Sequence, residues 1–161
     1  MAWEKRPAVL AGIGCMFLLG FLNTAFADDK LFIVANQTSL GLAKDFLTTM
    51  NNESIPLSIV MDRFDTVKKE KYIFVLGGGK GAGSVDDFIK QVLTAQERES
   101  GNQPGGKFFV KENLFAPGQV IIVFTGPDEA AAAEARKKNR NTWWQYLAKW
   151  FELDTSNPMI Y

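Results

Sequence analysis

Five glycines stand close together after an apolar run: Gly77, Gly78, Gly79, Gly81 and Gly83, with Lys80 among them and Ser84 next. Between a strand and a helix, such a segment lets backbone N–H groups approach an anion, and the helix dipole favours negative charge there. Gly77, Gly78, Gly79, Lys80, Gly81, Gly83 and Ser84 are therefore the candidate ligand or anion site. The spacing is not that of a P-loop, because no Gly-Lys-Ser/Thr triplet opens the helix. From Gly77 it reads G-x-G-x-x-x-G, one residue longer than the dinucleotide fingerprint. The alternative is a plain strand-to-helix turn.

Acids form a second group. Asp62 and Asp65 follow one apolar run, and Asp128 and Glu129 follow another. Open α/β sheets bind ligands at the carboxyl ends of their strands, where all four belong. Converging, they would make a divalent-cation site or an acid/base pair. The simpler reading, preferred here, has Asp128 and Glu129 complementing a helix dipole and Asp62 ending a strand. The chain has no histidine. That removes the usual general base at neutral pH, the Ser/His and Cys/His nucleophile pairs, and most zinc sites. Any catalysis would rest on Asp, Glu, Lys, Ser or Tyr. No catalytic residue, metal ligand or cofactor is assigned, and the balance is against an enzyme.

Aromatic residues form the third group. Trp143, Trp144, Leu147, Trp150 and Phe151 recur at i, i+1, i+4, i+7 and i+8, one wide helical stripe. Either the stripe packs on a sheet as core, or it docks on a partner or a membrane interface. Trp143, Trp144, Trp150 and Phe151 are thus the candidate partner-binding residues, and at least one of Trp144 and Trp150 is expected to be partly exposed.

The elements that must position these groups follow from hydrophobic pattern. Leu31–Ala35, Leu57–Met61 and Tyr72–Leu76 are short continuous apolar runs, the pattern of strands buried on both faces. Lys107–Lys111 and Gln119–Thr125 are two more, joined through Pro117-Gly118. Helices are expected from Leu40 to about Met50, from Ser84 to about Ala95, and from Pro127-Asp128-Glu129 through the Ala130–Ala133 tract to Trp144. The last extends to Phe151 unless Asn139–Thr142 breaks it. Gln96–Gly106 reads as a loop or a frayed helix end. Strands alternate with helices, so the fold class is α/β: an open sheet of about five strands in two or three layers. The sheet is mostly parallel with a possible antiparallel edge pair, and a long C-terminal helix follows.

The first 27 residues read as a secretory signal peptide. Lys5 and Arg6 precede the uncharged apolar run Pro7–Leu22, and Ala25-Phe26-Ala27 forms an A-x-A site. The run is 16 residues, short of the roughly 20 that span a bilayer. An uncleaved anchor and a lipoprotein cut before Cys15 are the alternatives. Residues 28–161 then form a single α/β domain outside the cytoplasm: secreted, periplasmic or on the cell surface. Taking Lys5 and Arg6 from 18 basic residues, and Glu4 from 18 acidic ones, leaves a net charge of −1. A near-neutral domain has no electrostatic bias toward nucleic acid. Cys15 is the only cysteine, so the mature domain uses no disulfide.

From Tyr72 onward the order of elements resembles a domain of archaeal S-layer proteins. The matching stretches are VLGGGKGAGSVDDFIKQVL and GKFFVKENLFAPGQVIIVFTGPDEAAAAEARKKN, roughly residues 71–140. The chain departs where that family has Gly-Gly-Pro followed by Asn, and it lacks the threonine that family carries in the last helix. The first half is loosely similar to bacterial cell-wall-binding repeats. Both resemblances imply a non-catalytic envelope role and transfer no catalytic residues. The partner they imply is an envelope protein or a surface polymer, with self-association and membrane contact left open. The alternative function is a small-ligand, nucleotide or phosphate-binding domain, catalytic or not, using Gly77–Ser84.

Export is tested directly by N-terminal sequencing of protein from the producing cell. The expected first residue is Asp28; a chain that begins at Met1 and fractionates with membranes would mean an anchor.

Overall fold

The computed structural model of the chain describes residues 29–78 and 84–154. Residues 1–28, on which the signal-peptide expectation falls, and Gly79, Lys80, Gly81 and Gly83 of the glycine-rich segment lie outside the described residues. Five strands form one sheet: β1 (Leu31–Ala35), β2 (Leu57–Val60), β3 (Tyr72–Gly78), β4 (Lys107–Glu112) and β5 (Val120–Gly126). Their order is β2-β1-β3-β5-β4. The β1–β2, β1–β3 and β3–β5 pairs are parallel, and β4 joins β5 antiparallel at the edge. The fold is thus the expected α/β class, with the edge pair in place.

Among the described residues six α-helices flank the sheet: α1 (Gln37–Gly41), α2 (Lys44–Asn52), α3 (Ser84–Val92), α4 (Ala95–Gly101), α5 (Glu129–Lys138) and α6 (Arg140–Phe151). Side chains alternate between faces along a strand. Ile33, Phe74, Ile122 and Phe124 therefore pack with Phe46 and Met50 of α2 and with Trp143 and Leu147 of α6. Val34, Ile73, Val75, Ile121 and Val123 pack on the other face with Val85, Phe88, Ile89 and Val92 of α3. The result is three layers around β3, every residue of which is buried.

Three helical expectations need correction. The single helix over Leu40–Met50 is two, α1 and α2, because the chain turns at Leu42, whose carbonyl is taken by the Arg136 guanidinium at 2.9 Å. The long last helix breaks at Asn139, whose Nδ2 donates to the Ala135 carbonyl at 2.7 Å and whose own carbonyl receives the Trp143 N–H at 3.1 Å. One helix thus ends and another starts at the same residue. The segment after Gln96 begins as a helix rather than a loop. Thr94 and Glu97 cap α4 reciprocally, each side chain accepting from the other's backbone N–H. Among the described residues, no helix is long and apolar enough to cross a membrane.

Candidate functional site

The strand order reverses between β1 and β3. The chain leaves β1 through α1 and α2 on one face and leaves β3 for α3 on the other. Diverging loops of this kind open a crevice at the carboxyl ends of the strands, the usual ligand position in an open α/β sheet. Asn36, Gly77, Gly78, Ser84, Asp128 and Glu129 all fall at this end.

Much of their chemistry is spent on structure. The Asp128 carboxylate accepts the Ala131 N–H at 2.8 Å and so caps α5, where the simpler reading had it complementing the helix dipole. Asn36 caps α1 by accepting the Ser39 N–H at 2.8 Å, and its Nδ2 donates to Glu129 Oε1 at 3.0 Å. That bond ties the exit of β1 to the start of α5 across the end of β3. Gly78 faces the same turn: a Cβ there would overlap the Asp128–Glu129 backbone. At Gly77 a Cβ would lie 2.7 Å from Val85 Cγ1. Both glycines serve close packing of helix ends on β3.

The acids do not converge as one group. Asp62 and Asp65 are exposed beyond β2. Three strand spacings separate β2 from β5, roughly 14 Å. Among the described residues, no cluster of three or more potential ligands can hold a metal ion. Asp86 and Asp87 open α3 beside Glu129, so the described surroundings of the glycine-rich segment are rich in carboxylates. Burial raises the Asp86 carboxyl above its usual range; Lys90 pulls it down, and the Glu129 and Asp87 charges raise it further. A phosphate is poorly served by that field. Past β5, a cavity of about 250 Å³ is lined by Asp86, Lys90, Arg98, Glu99 and Thr125, two charges of each sign.

The aromatic stripe is mostly core. Trp143 is buried, meets Phe46 edge-on at 5.2 Å, and donates its indole N–H to the Arg136 carbonyl at 2.8 Å. Trp150 stacks on Tyr72 at 4.4 Å and 11°, with Phe151 against the same ring at 5.8 Å. Trp144, Trp150 and Phe151 pack on this core yet keep part of their surface in solvent, so both outer tryptophans are partly exposed as expected.

Two buried polar residues escaped the sequence reading. Gln119 donates to the Lys68 and Glu70 carbonyls at 2.8 and 2.7 Å and accepts the Phe115 N–H, fixing the entry to β5. Arg136 is 3% exposed and lies over the Phe46 ring at 5.0 Å. Neither carries a sequence signal, since Gln119 sits beside a turn and Arg136 heads the run Arg136-Lys137-Lys138. No protein-family model, curated protein or solved structure matches the chain.

The Asp86 environment has a measurable consequence. A carboxyl raised in the folded state weakens folding above its unfolded pKa, and the loss disappears as pH falls and it protonates in both states. Asp86→Asn should therefore raise the melting temperature at neutral pH by about 1–3 °C, with the gain vanishing below about pH 3. A neutral-pH melting temperature equal to or below that of the natural chain would show that neither burial nor the neighbouring carboxylates penalise the Asp86 charge in the folded chain.

Proposed function

We propose that the chain is an exported, non-catalytic α/β binding domain of the cell envelope, acting as an S-layer-like accessory that engages an envelope protein or a surface polymer. One observation carries this reading: the two sheet edges differ. β4 bears Lys107, Lys111 and Glu112, charges of the kind that keep an edge from pairing with other chains. β2 reads Leu57-Ser58-Ile59-Val60, without a charge, and Ile59 is 46% exposed. The Leu31 N–H donates to the Pro56 carbonyl at 2.9 Å. In a parallel pair this turns the backbone of Ser58 and Val60 toward β1 and that of Leu57 and Ile59 outward. No described strand lies beyond them. An uncharged outer edge with an exposed isoleucine suits strand addition by a partner. The resemblance of residues 71–140 to an S-layer domain supports an envelope setting, and the A-x-A leader supports export.

The second reading, a small-ligand, nucleotide or phosphate site at Gly77–Ser84, draws on the crevice between β1 and β3. The packed glycines and the carboxylates of Asp86, Asp128 and Glu129 weigh against it for an anionic ligand.

Co-sedimentation with envelopes isolated from the producing cell tests the first reading. The mature chain should bind saturably. Ile59→Lys should bind about tenfold more weakly or worse, while its stability stays within about 0.5 kcal/mol. Failure to sediment, or equal binding by both chains, would refute an envelope partner at this edge.

A further inference from the structure

We propose that a pocket bounded by α2, α5 and α6 binds a phosphate monoester on a small organic body, with Arg136, Lys137 and Arg140 as its cationic contacts. The pocket lies on the helical layer that carries Trp143. Its volume is about 430 Å³, within the range of small-molecule sites and more than a bare ion fills. Three cations and one carboxylate, Asp45, line it. Among the lining side chains cations outnumber the single carboxylate, which favours an anionic group such as a phosphate monoester, while the whole chain is formally neutral.

Arg136 is what distinguishes this from a patch of surface lysines. Its side chain is 4% exposed, whereas that of its ion-pair partner Asp45 is 65% exposed at 3.3 Å. The carboxylate is thus largely hydrated and screened, and it balances the buried guanidinium only in part. Burial lowers the guanidinium pKa, while the Asp45 charge and hydrogen bond act the other way. A phosphate in the pocket would supply the missing negative charge in a site from which water is partly excluded. The guanidinium is already held by the Leu42 carbonyl and the Phe46 ring, so little side-chain freedom remains to be lost on binding. Arg136 and Arg140 are four residues apart, across the break at Asn139, and Lys137 adjoins the first. Phe46 and Trp143 give the wall an apolar part for the organic body.

Isothermal titration of the full chain with glycerol 3-phosphate, inorganic phosphate and glycerol tests the assignment. Glycerol 3-phosphate should bind more tightly than inorganic phosphate, and glycerol should give no heat. Lys137→Ala and Arg140→Ala should each weaken glycerol 3-phosphate binding about tenfold. Lys137 is exposed, so its variant should melt with the natural chain. Asp45→Asn, which removes the competing carboxylate, should tighten binding, and Lys80→Ala should leave it unchanged. The assignment is overturned if no heat accompanies glycerol 3-phosphate at millimolar concentration, or if binding survives both Lys137→Ala and Arg140→Ala. Loss of binding in Lys80→Ala would likewise overturn it and place the anion at the glycine-rich segment.

Discussion

One buried arginine organises the helical layer of this protein. The Arg136 guanidinium reaches from α5 to the Leu42 carbonyl between α1 and α2, and to Asp45 at the start of α2. Its plane lies over Phe46, and its own carbonyl accepts the Trp143 indole from α6. Four helices thus meet at one residue. A buried cation costs desolvation energy unless its hydrogen bonds are made. Here that requirement dictates where the first helix pair turns and how α6 returns across the sheet. Burial alone would raise the Asp45 carboxyl, but the Phe46 N–H and Arg136 outweigh it, and the group sits below its usual range. The pair therefore stabilises the fold above the ordinary carboxylate range and loses that contribution as pH falls through it.

The opposite end of the design is close backbone contact. Gly78 and Gly126 end neighbouring strands and let the start of α5 approach the sheet, where side chains would collide with Asp128–Glu129 and Ala131. The Asn36–Glu129 hydrogen bond then closes over β3. An open α/β sheet normally offers its ligand site at this point; in this chain the described part of it is occupied by capping and packing. Partners are proposed instead at the uncharged β2 edge and at the basic pocket above α2.

Strands were legible because their signal is local. The run Leu31–Ala35 is a strand from its first residue to its last, and the other four end within about two residues of their apolar runs. The start of α5 was legible for the same reason, Pro127-Asp128-Glu129 being a short-range pattern ahead of an alanine tract. The helix breaks were not. Leu42 stops a helix because a side chain 94 positions away takes its carbonyl, and no window of sequence contains both. The start of α4 was legible in principle, since Thr94-x-x-Glu97 is a capping box, but the polar composition that follows outweighed it. The aromatic stripe gave the correct face but not its depth: the same spacing places Trp143 in the core and leaves Trp144 and Trp150 partly in water. Of the candidate sites, the glycine-rich segment was conspicuous in sequence, whereas the basic run Arg136–Arg140 shows only part of its pocket, since Asp45, Phe46 and Thr49 come from a helix some ninety residues earlier.

Chemical denaturation of Arg136→Met and Asp45→Asn tests the organising role of the arginine most directly. Methionine keeps much of the stem but leaves the Leu42 carbonyl without its donor and Phe46 without its cation. The expected loss is more than about 2 kcal/mol. Asp45→Asn, at a largely exposed carboxylate, should cost less than about 1 kcal/mol. An Arg136→Met chain as stable as the natural one, or a larger loss from Asp45→Asn, would contradict the view that the buried guanidinium holds the helical layer together.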